Sequence, residues 1–293
     1  MKDTATDGAK RARSRTPVRD VVASFDALTL TCAGVLAFLI LAAVAGPLAG
    51  VGGDPTAIVG PRLAPPTAEY PLGTDSLGRS LLPRVIEGVG TTLVVSAAAV
   101  LCTALISTAG GIVAGYHGGA AGGVVMRIGD VLYAFPAIVL AILVASVVGP
   151  GRTAALVSIV LVTVPLMTRM VGAAARLVCV RDYVTAARIS GVSAPRIMVR
   201  HVLTNVSGTV AVQTTYALSV AILVEGGLSF LGYGVQLPGS SLGLLIQEGT
   251  VYMVKAPWAL LAPSVILVLA IVAINVIGDS LRDRFEPRKA RSL

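Results

Sequence analysis

This sequence predicts an all-α integral membrane protein with six transmembrane helices and cytoplasmic N- and C-termini, on three observations. Hydrophobic residues fill 55% of the 293 positions and charged residues 13%, about half the charge of an average soluble chain. The charge is also segregated: residues 27–53, 88–126, 131–151, 153–168, 202–224 and 256–278 contain no Asp, Glu, Lys or Arg. A helix needs about 20 apolar residues to cross the hydrocarbon core, so most of these runs suffice alone. With both termini inside, only Arg62, Arg79, Arg84, Arg152 and Lys255 of the 23 lysines and arginines fall outside, as the positive-inside rule requires. The net charge of +8 therefore reports topology and contact with anionic lipid, and gives no support for a nucleic-acid partner.

Residues 1–26 read as a polar cytoplasmic arm without regular structure up to about Arg19. The basic arm followed by an apolar run resembles a secretory signal, but a signal's apolar region is about 7–15 residues. Residues 27–49 are longer and read as an uncleaved first transmembrane helix. A Gly/Pro-rich extracytoplasmic segment spans 50–87. Residues 88–280 form a core of five spans, and 281–293 a cytoplasmic tail. Within the core, Arg127 marks the loop after the second span. The fourth span is short, and Arg169 snorkels at its end so that the helix continues towards Ala175. Residues 233–257 lie outside and include a short helix near Leu242 to Glu248. Gly111/Gly115 and Gly119/Gly123 stand at the four-residue spacing that permits close helix packing, a weak signal among 32 glycines.

The segment between the fourth and fifth spans, within 178–206, is longer and more charged than a connection requires. Residues 182–205, DYVTAARISGVSAPRIMVRHVLTN, read as two short helices around Gly191. Glycine suits the left-handed turn that ends a helix, Ser193 is placed to cap the second helix, and Pro195 is tolerated in its first turn. Ala186 and Ala187 offer a small-residue surface, and Arg181, Arg188, Arg196 and Arg200 surround it. Such an element serves to dock a cytoplasmic partner.

The chain shows no chemistry of its own. No lysine stands in a phosphate-binding-loop context and no nucleophile elbow is present. His117 and His201 lack partners at metal-ligand spacing. Cys32, Cys102 and Cys179 show no pairing pattern. Ionisable residues in or near the spans remain. Glu225, in the outer half of the fifth span, is a translocation or gating candidate because an acid at that depth is functional by default; the alternative is a brace for the turn that follows it. Asp130 reads as an interfacial residue. Asp279, Arg282 and Asp283 read as an ion cluster at the cytoplasmic end of the last span.

Several segments together resemble a known family. PLGTDSLGRSLLPRVIEG (71–88), AGYHGGAAGGVVMRIGDVLYAFP (114–136), the 182–205 loop, EGGLSFLGYGVQLP (225–238), APW (256–258) and NVIGDSLRDRFEP (275–287) occur in the order found in the second inner-membrane permease subunit of bacterial ABC importers for dipeptides and oligopeptides. The resemblance implies a type I importer permease fold in a multi-pass inner-membrane protein. It implies a heterodimer with a homologous permease, two cytoplasmic ABC ATPases, and an external substrate-binding protein. ATP and magnesium would be bound by the ATPases, with no cofactor in this chain.

The resemblance also makes 182–205 an EAA-type coupling loop. Asp182, Thr185, Ala186, Ala187, Arg188, Gly191, Arg196, Arg200, His201 and Asn205 are its ATPase-coupling residues. Thr185 stands where that motif has glutamate and Thr204 where it has proline, and Asp182 keeps an acid nearby. Arg62, Asp75, Arg79 and Arg84, with 233–257, are either binding-protein contacts or solvated loop. Nickel complexes, glutathione and haem are alternative substrates of the same importer class. An ion-coupled secondary transporter and a non-transporting scaffold are the competing classes.

Overall fold

The computed structural model describes residues 26–285, so the N-terminal arm up to Phe25 and the tail from Glu286 lie outside the described residues. The described residues form helices and turns, with only isolated bridges at Ile58–Arg79 and Thr74–Ser80. The helices are α1 (Ala27–Leu48), α2 (Leu81–His117), α3 (Gly119–Tyr133), α4 (Ala137–Val148), α5 (Arg152–Cys179), α6 (Asp182–Ile189), α7 (Ala194–Ile197), α8 (Thr204–Phe230), α9 (Leu242–Val251) and α10 (Pro257–Phe285). A π-helical turn, Met198–Leu203, joins α7 to α8. Five stretches are each long and apolar enough to cross a membrane, and α3 with α4 adds a sixth, bent by 91°.

The centre of the bundle is the crossing of α2 and α5. At 37 residues, α2 runs about 55 Å and extends beyond the ~30 Å hydrocarbon core. A Cβ at Gly111 would stand 2.8 Å from Val171 Cβ, and one at Gly115 would stand 2.7 Å from Ala175 Cβ. The two backbones thus meet at a separation that only glycine allows. By contrast, nothing lies within 4 Å of a Cβ at Gly119 or Gly123, so the same spacing there serves no helix contact. Hydroxyls extend the seam. Thr103 and Thr163 share a hydrogen bond of 2.7 Å, and the Ser107 hydroxyl donates to the Val164 carbonyl at 3.2 Å. Ser158 ties α5 to α4 through the Ala141 carbonyl at 3.0 Å.

Two boundaries differ from the charge pattern. The turn after α2 falls at Gly118 and Gly119, with φ of 58° and 50°, and Arg127 rides exposed on α3 rather than in a loop. Glycine's tolerance of positive φ ends the helix there, whereas an arginine on a helix face ends nothing. The third span is broken at residues 134–136, where Pro136 lacks an N–H and restricts the residue before it. The fourth is a full helix of 28 residues through Arg169 to Cys179, with Pro165 inside it.

α1 lies against α2 and α10 and buries only Thr29, Cys32, Leu39 and Gly46, leaving Phe38, Leu41 and Val44 exposed. Residues 50–80 form the irregular segment, and α2 has already begun at Leu81 within the stretch read as 50–87. The last turns of α10 carry residues up to Phe285 of the tail.

The α2–α5 crossing makes a matched test. Gly111→Ala forces a methyl to within 2.8 Å of Val171 Cβ, and Gly123→Ala adds one in open space. Gly111→Ala is expected to cost about 1–3 kcal/mol and to lower the thermal unfolding midpoint of the detergent-purified protein, while Gly123→Ala leaves it unchanged or raises it.

Candidate functional site: a docking element and a groove at the broken span

The loop between α5 and α8 folds as two helices hinged at glycine. α6 ends in a Schellman motif. Gly191 has φ of 76°, its N–H donates to the Arg188 carbonyl at 3.1 Å, and the Val192 N–H reaches back to Ala187 at 3.1 Å. Ser193 occupies the N-cap position of α7, with Pro195 in the first turn, but its side chain makes no cap hydrogen bond. Val184, Ile197 and Val202 are each 0% exposed and pack with Ile112, Val171 and Ala175. The element is therefore anchored to the end of the α2–α5 crossing.

Its other face is open. Asp182, Thr185, Ala186, Arg188, Gly191, Arg196, Arg200 and Asn205 are exposed, and Ala187 and His201 are half-buried. Ile189 is 83% exposed. Thr185 and Thr204 turn their hydroxyls onto their own helices, donating to the carbonyls of Arg181 at 3.4 Å and Arg200 at 3.1 Å. The Asn205 amide donates to the His201 carbonyl at 2.6 Å. The Arg188 guanidinium lies 4.5 Å over the Tyr116 ring. Tyr116 thus props the docking face from the last turn of α2, a role that nothing in its sequence context signals.

At the break between α3 and α4, a groove of about 520 Å³ opens between α5 and α8. Tyr133, Phe135, Pro136, Thr163, Gln213 and Tyr216 contribute to its wall, which contains no Asp, Glu, Lys or Arg. Glu225 does not line it. That residue is fully buried, and its carboxylate accepts from the Ser229 hydroxyl at 2.7 Å, whose oxygen in turn accepts the Val235 N–H at 3.1 Å. The hydroxyls of Thr92 and Ser241 stand beside it, and these two also hold the start of α9 through Leu242 at 3.2 Å and Leu244 at 3.3 Å. Glu225 thus sits where α2, α8, α9 and the turn after α8 meet. Asp279 accepts the Tyr216 phenol at 2.5 Å, and Arg282 also reaches that phenol. The end of α10 is thereby linked to α8, with Asp283 exposed on the same turns.

The opposite end of the bundle holds a buried ion network. Arg84 is 0% exposed and contacts Asp75 at 2.8 Å and Glu248 at 2.6 Å. Arg79 pairs with Asp75 at 2.6 Å. Asp75, Arg79 and Arg84 are thus neither solvated nor available at the surface, and of the four contact candidates in this segment only Arg62 is exposed. Their partner Glu248, on α9, is too distant in sequence for spacing to reveal it. Burial pushes the Asp75 carboxyl up, but the Arg79 N–H and side chain, the Leu77 N–H and the Arg84 charge outweigh it and hold the carboxyl below its ordinary 3.8. Among the described residues, no three His, Cys, Asp or Glu side chains converge as a metal site.

Comparison with known proteins completes the picture. Residues 106–291 match the family described as binding-protein-dependent transport system inner membrane component. The di/tripeptide transport system permease protein of Pseudomonas aeruginosa is 36% identical over 75% of this chain and 73% of its own. A protein named as a peptide ABC transporter permease in Sinorhizobium fredii is 36% identical over 97% of this chain and 96% of its own. The glutathione transport system permease protein of Pectobacterium atrosepticum is 34% identical over 76% and 74%. The solved inward-facing MetNI methionine ABC transporter shares the fold, with a TM-score of 0.56 at 19% identity over 70% of this chain and 97% of that one.

The chain belongs to the inner-membrane permease family of binding-protein-dependent transport systems, and its fold is that of an ABC-importer permease. It is a multi-pass inner-membrane subunit of a transport system that works with an ATPase and a binding protein. This membership sets aside the secondary-transporter and scaffold readings.

Arg84→Met removes the hub of the ion network, leaving Asp75 with Arg79 alone and the part-exposed Glu248 with only a 3.9 Å contact to Arg79. Leaving a buried charge wholly unpaired costs about 3–5 kcal/mol; with Arg79 still in place a smaller fall in the unfolding midpoint is expected at neutral pH. Because the Asp75 carboxyl is depressed in the folded state, its stabilisation is complete above its ordinary 3.8 and is lost as pH falls through the lower, folded value. Thermal melts across acidic pH should therefore show the wild-type advantage over Arg84→Met shrinking as the solution is acidified.

Proposed function

We propose that this chain is the second permease subunit of an ATP-driven peptide importer. It would form a heterodimer with a homologous permease and carry dipeptides or oligopeptides released by an external binding protein. The observation that carries the mechanism is the α6–Gly191–α7 element, buried on one face by Val184, Ile197 and Val202 and open on the other. An element anchored to the ends of α2 and α5 transmits a push from a docked partner into those helices. Asp182, Thr185, Ala186, Ala187, Arg188, Gly191, Arg196, Arg200, His201 and Asn205 are the residues we assign to ATPase coupling. Arginines at such a face pair with the carboxylates of a partner in a fixed fork geometry.

Catalysis lies elsewhere in this reading. Two cytoplasmic ATPases bind ATP and magnesium, and this chain holds no cofactor. Closure of the ATPases moves the coupling elements, and the bundle rocks between inward- and outward-open states. The cytoplasmic orientation of this face rests on the lysine and arginine distribution. The relatives named for peptides and for di/tripeptides support the substrate class, and the uncharged groove at the broken span suits a path that does not select on side-chain charge. The relative named for glutathione, itself a small peptide, supports a second substrate reading.

The experiment is uptake of labelled dipeptide into proteoliposomes holding this chain, its partner permease, the ATPases and the binding protein. ATP-dependent uptake is expected. Hydrolysis stimulated by the binding protein without dipeptide uptake would turn the search to glutathione, longer peptides, nickel complexes and haem. In the same assay, Gly191→Pro replaces a residue at φ of 76° with one locked near −65° and deletes the bond to Arg188. The complex should still assemble in the membrane, with uptake falling at least about tenfold, the measure of ~1.4 kcal/mol in the transport barrier. Uptake at the wild-type rate would remove the coupling role.

A further inference from the structure

The coupling role leaves Gln213 unused. It lies on α8 within the charge-free run 202–224, is half-buried, and lines the groove at the broken span. Two other polar side chains of that wall are engaged inside the protein. The Tyr216 phenol donates to Asp279, and the Thr163 hydroxyl donates to the Ile159 carbonyl and shares a hydrogen bond with Thr103. Gln213 differs from both. It is the one side-chain amide on the wall, and among the described residues no donor or acceptor meets it. An amide withdrawn from water without a partner is costly, so this one faces water or a guest.

Depth narrows the choice. Gln213 stands about 14 Å along α8 from Thr204, and Thr163 about 17 Å along α5 from Arg152, so the groove lies near the middle of both helices. Residues 134–136 between the halves of the third span are not helical, and Ala134, Phe135 and Pro136 line the groove. Non-helical backbone at membrane depth is tolerated only where protein buries it or where it borders a water-filled cavity. Here it borders a cavity of about 520 Å³, within the ~300–1,000 Å³ range of small-molecule sites. Transporters place substrate near the midplane at broken helices of this kind.

We propose that Gln213 reads the peptide bond of a substrate held in this groove. This rests on the peptide-importer reading. A primary amide carries two N–H donors and a carbonyl acceptor. The Nε2–H donates to the peptide carbonyl while Oε1 accepts the peptide N–H, a two-point pairing that every dipeptide offers whatever its side chains. The wall around it, including Leu132, Leu140, Leu166, Met167 and Val220, meets the guest by contact alone. The groove thus recognises the backbone that peptides share and leaves their side chains unread. A guest whose peptide nitrogen is methylated has no N–H to give. It leaves Oε1 unpaired in an apolar site, which is a penalty against that guest as well as a missing attraction.

Two measurements on the assembled transporter test this. The first asks whether peptide reaches the groove. V220C puts a thiol on a lining residue that is 40% exposed, in a background where Cys32, Cys102 and Cys179 are alanine, and a membrane-impermeant charged methanethiosulfonate reagent is added. Modification is expected, slowed by millimolar dialanine. An inert thiol would mean that the partner permease or lipid covers the groove. Modification that dialanine does not slow would mean that peptide does not enter it. Either overturns the proposal.

The second compares uptake of dialanine and alanylsarcosine, which differ by the peptide N–H, from binding protein saturated with each. Wild type is expected to favour dialanine at least about tenfold. Q213M, close to glutamine in shape, and Q213L should move the two at similar rates, with binding-protein-stimulated ATP hydrolysis at the wild-type level. Neither substitution strands a partner, so both should assemble. A bundle that merely tolerates less well-packed variants would slow both dipeptides alike and keep the preference. If wild type moves no dialanine although its ATP hydrolysis responds to the binding protein, the peptide reading fails and the Gln213 site fails with it. If wild type moves dialanine and either shows no preference or keeps its preference in both variants, the role of Gln213 alone fails.

Discussion

Helices in a bilayer gain nothing by hiding apolar surface from lipid, so they associate through close packing and hydrogen bonds between them. In this chain that constraint is met at one crossing. Gly111 and Gly115 bring α2 against Val171 and Ala175 of α5, and the Thr103–Thr163 pair carries the seam onward. Every functional feature is referred to this crossing. The docking element packs its buried side chains against its end, at Ile112, Val171 and Ala175. The groove at the broken span has α5 as one wall. A rigid pair of helices shared by a docking face and a groove is what allows motion at one to be felt at the other. A loosely packed crossing would absorb the displacement in side-chain rearrangement.

The features legible in the sequence are those governed by composition along a single helix. Charge-free runs mark spans because desolvating a charge is expensive anywhere in the hydrocarbon. Gly191 was legible because a glycine between two short helical patterns needs a left-handed turn. The break points were less legible, because they depend on backbone geometry rather than polarity. Arg127 looked like a boundary and is a residue on a helix face, whereas Gly118 and Gly119 lie inside an apolar run and end the helix. Least legible were partners joined only by the fold. Arg84 meets Glu248, Arg169 meets Asp130, and Arg188 lies on Tyr116. No period relates these positions, so a residue read alone as loop, snorkel or surface charge acquires its meaning only when the helices are packed.

The two sets of ion contacts illustrate opposite uses of charge in one molecule. Around Arg84 the charges are largely buried, and Asp75 and Arg84 each meet two partners of opposite sign. That arrangement fastens the irregular segment before α2 to α9, and its strength comes from being closed to water. Asp130 and Arg169 are half-exposed where α3 packs on α5. The same residue types there are screened by solvent and weakly held. Burial decides which role a carboxylate–guanidinium pair takes.

Glu225 extends the same reasoning to the end opposite the docking element. Its carboxylate accepts the Ser229 hydroxyl of α8, and the hydroxyls of Thr92 on α2 and Ser241 at the N-cap of α9 stand beside it and accept backbone N–H groups at the start of α9. Such a hub fixes the position of α9 relative to the two long helices, and Arg84 then fixes the segment before α2 onto α9 through Glu248. The chain of contacts runs from the α2–α5 crossing outward through hydrogen bonds and ion pairs that are each largely buried. The rigid parts of the molecule are therefore its central crossing and this end. The broken third span stands outside this chain of contacts, so motion of the groove it borders need not disturb the surface held by Glu225 and Arg84.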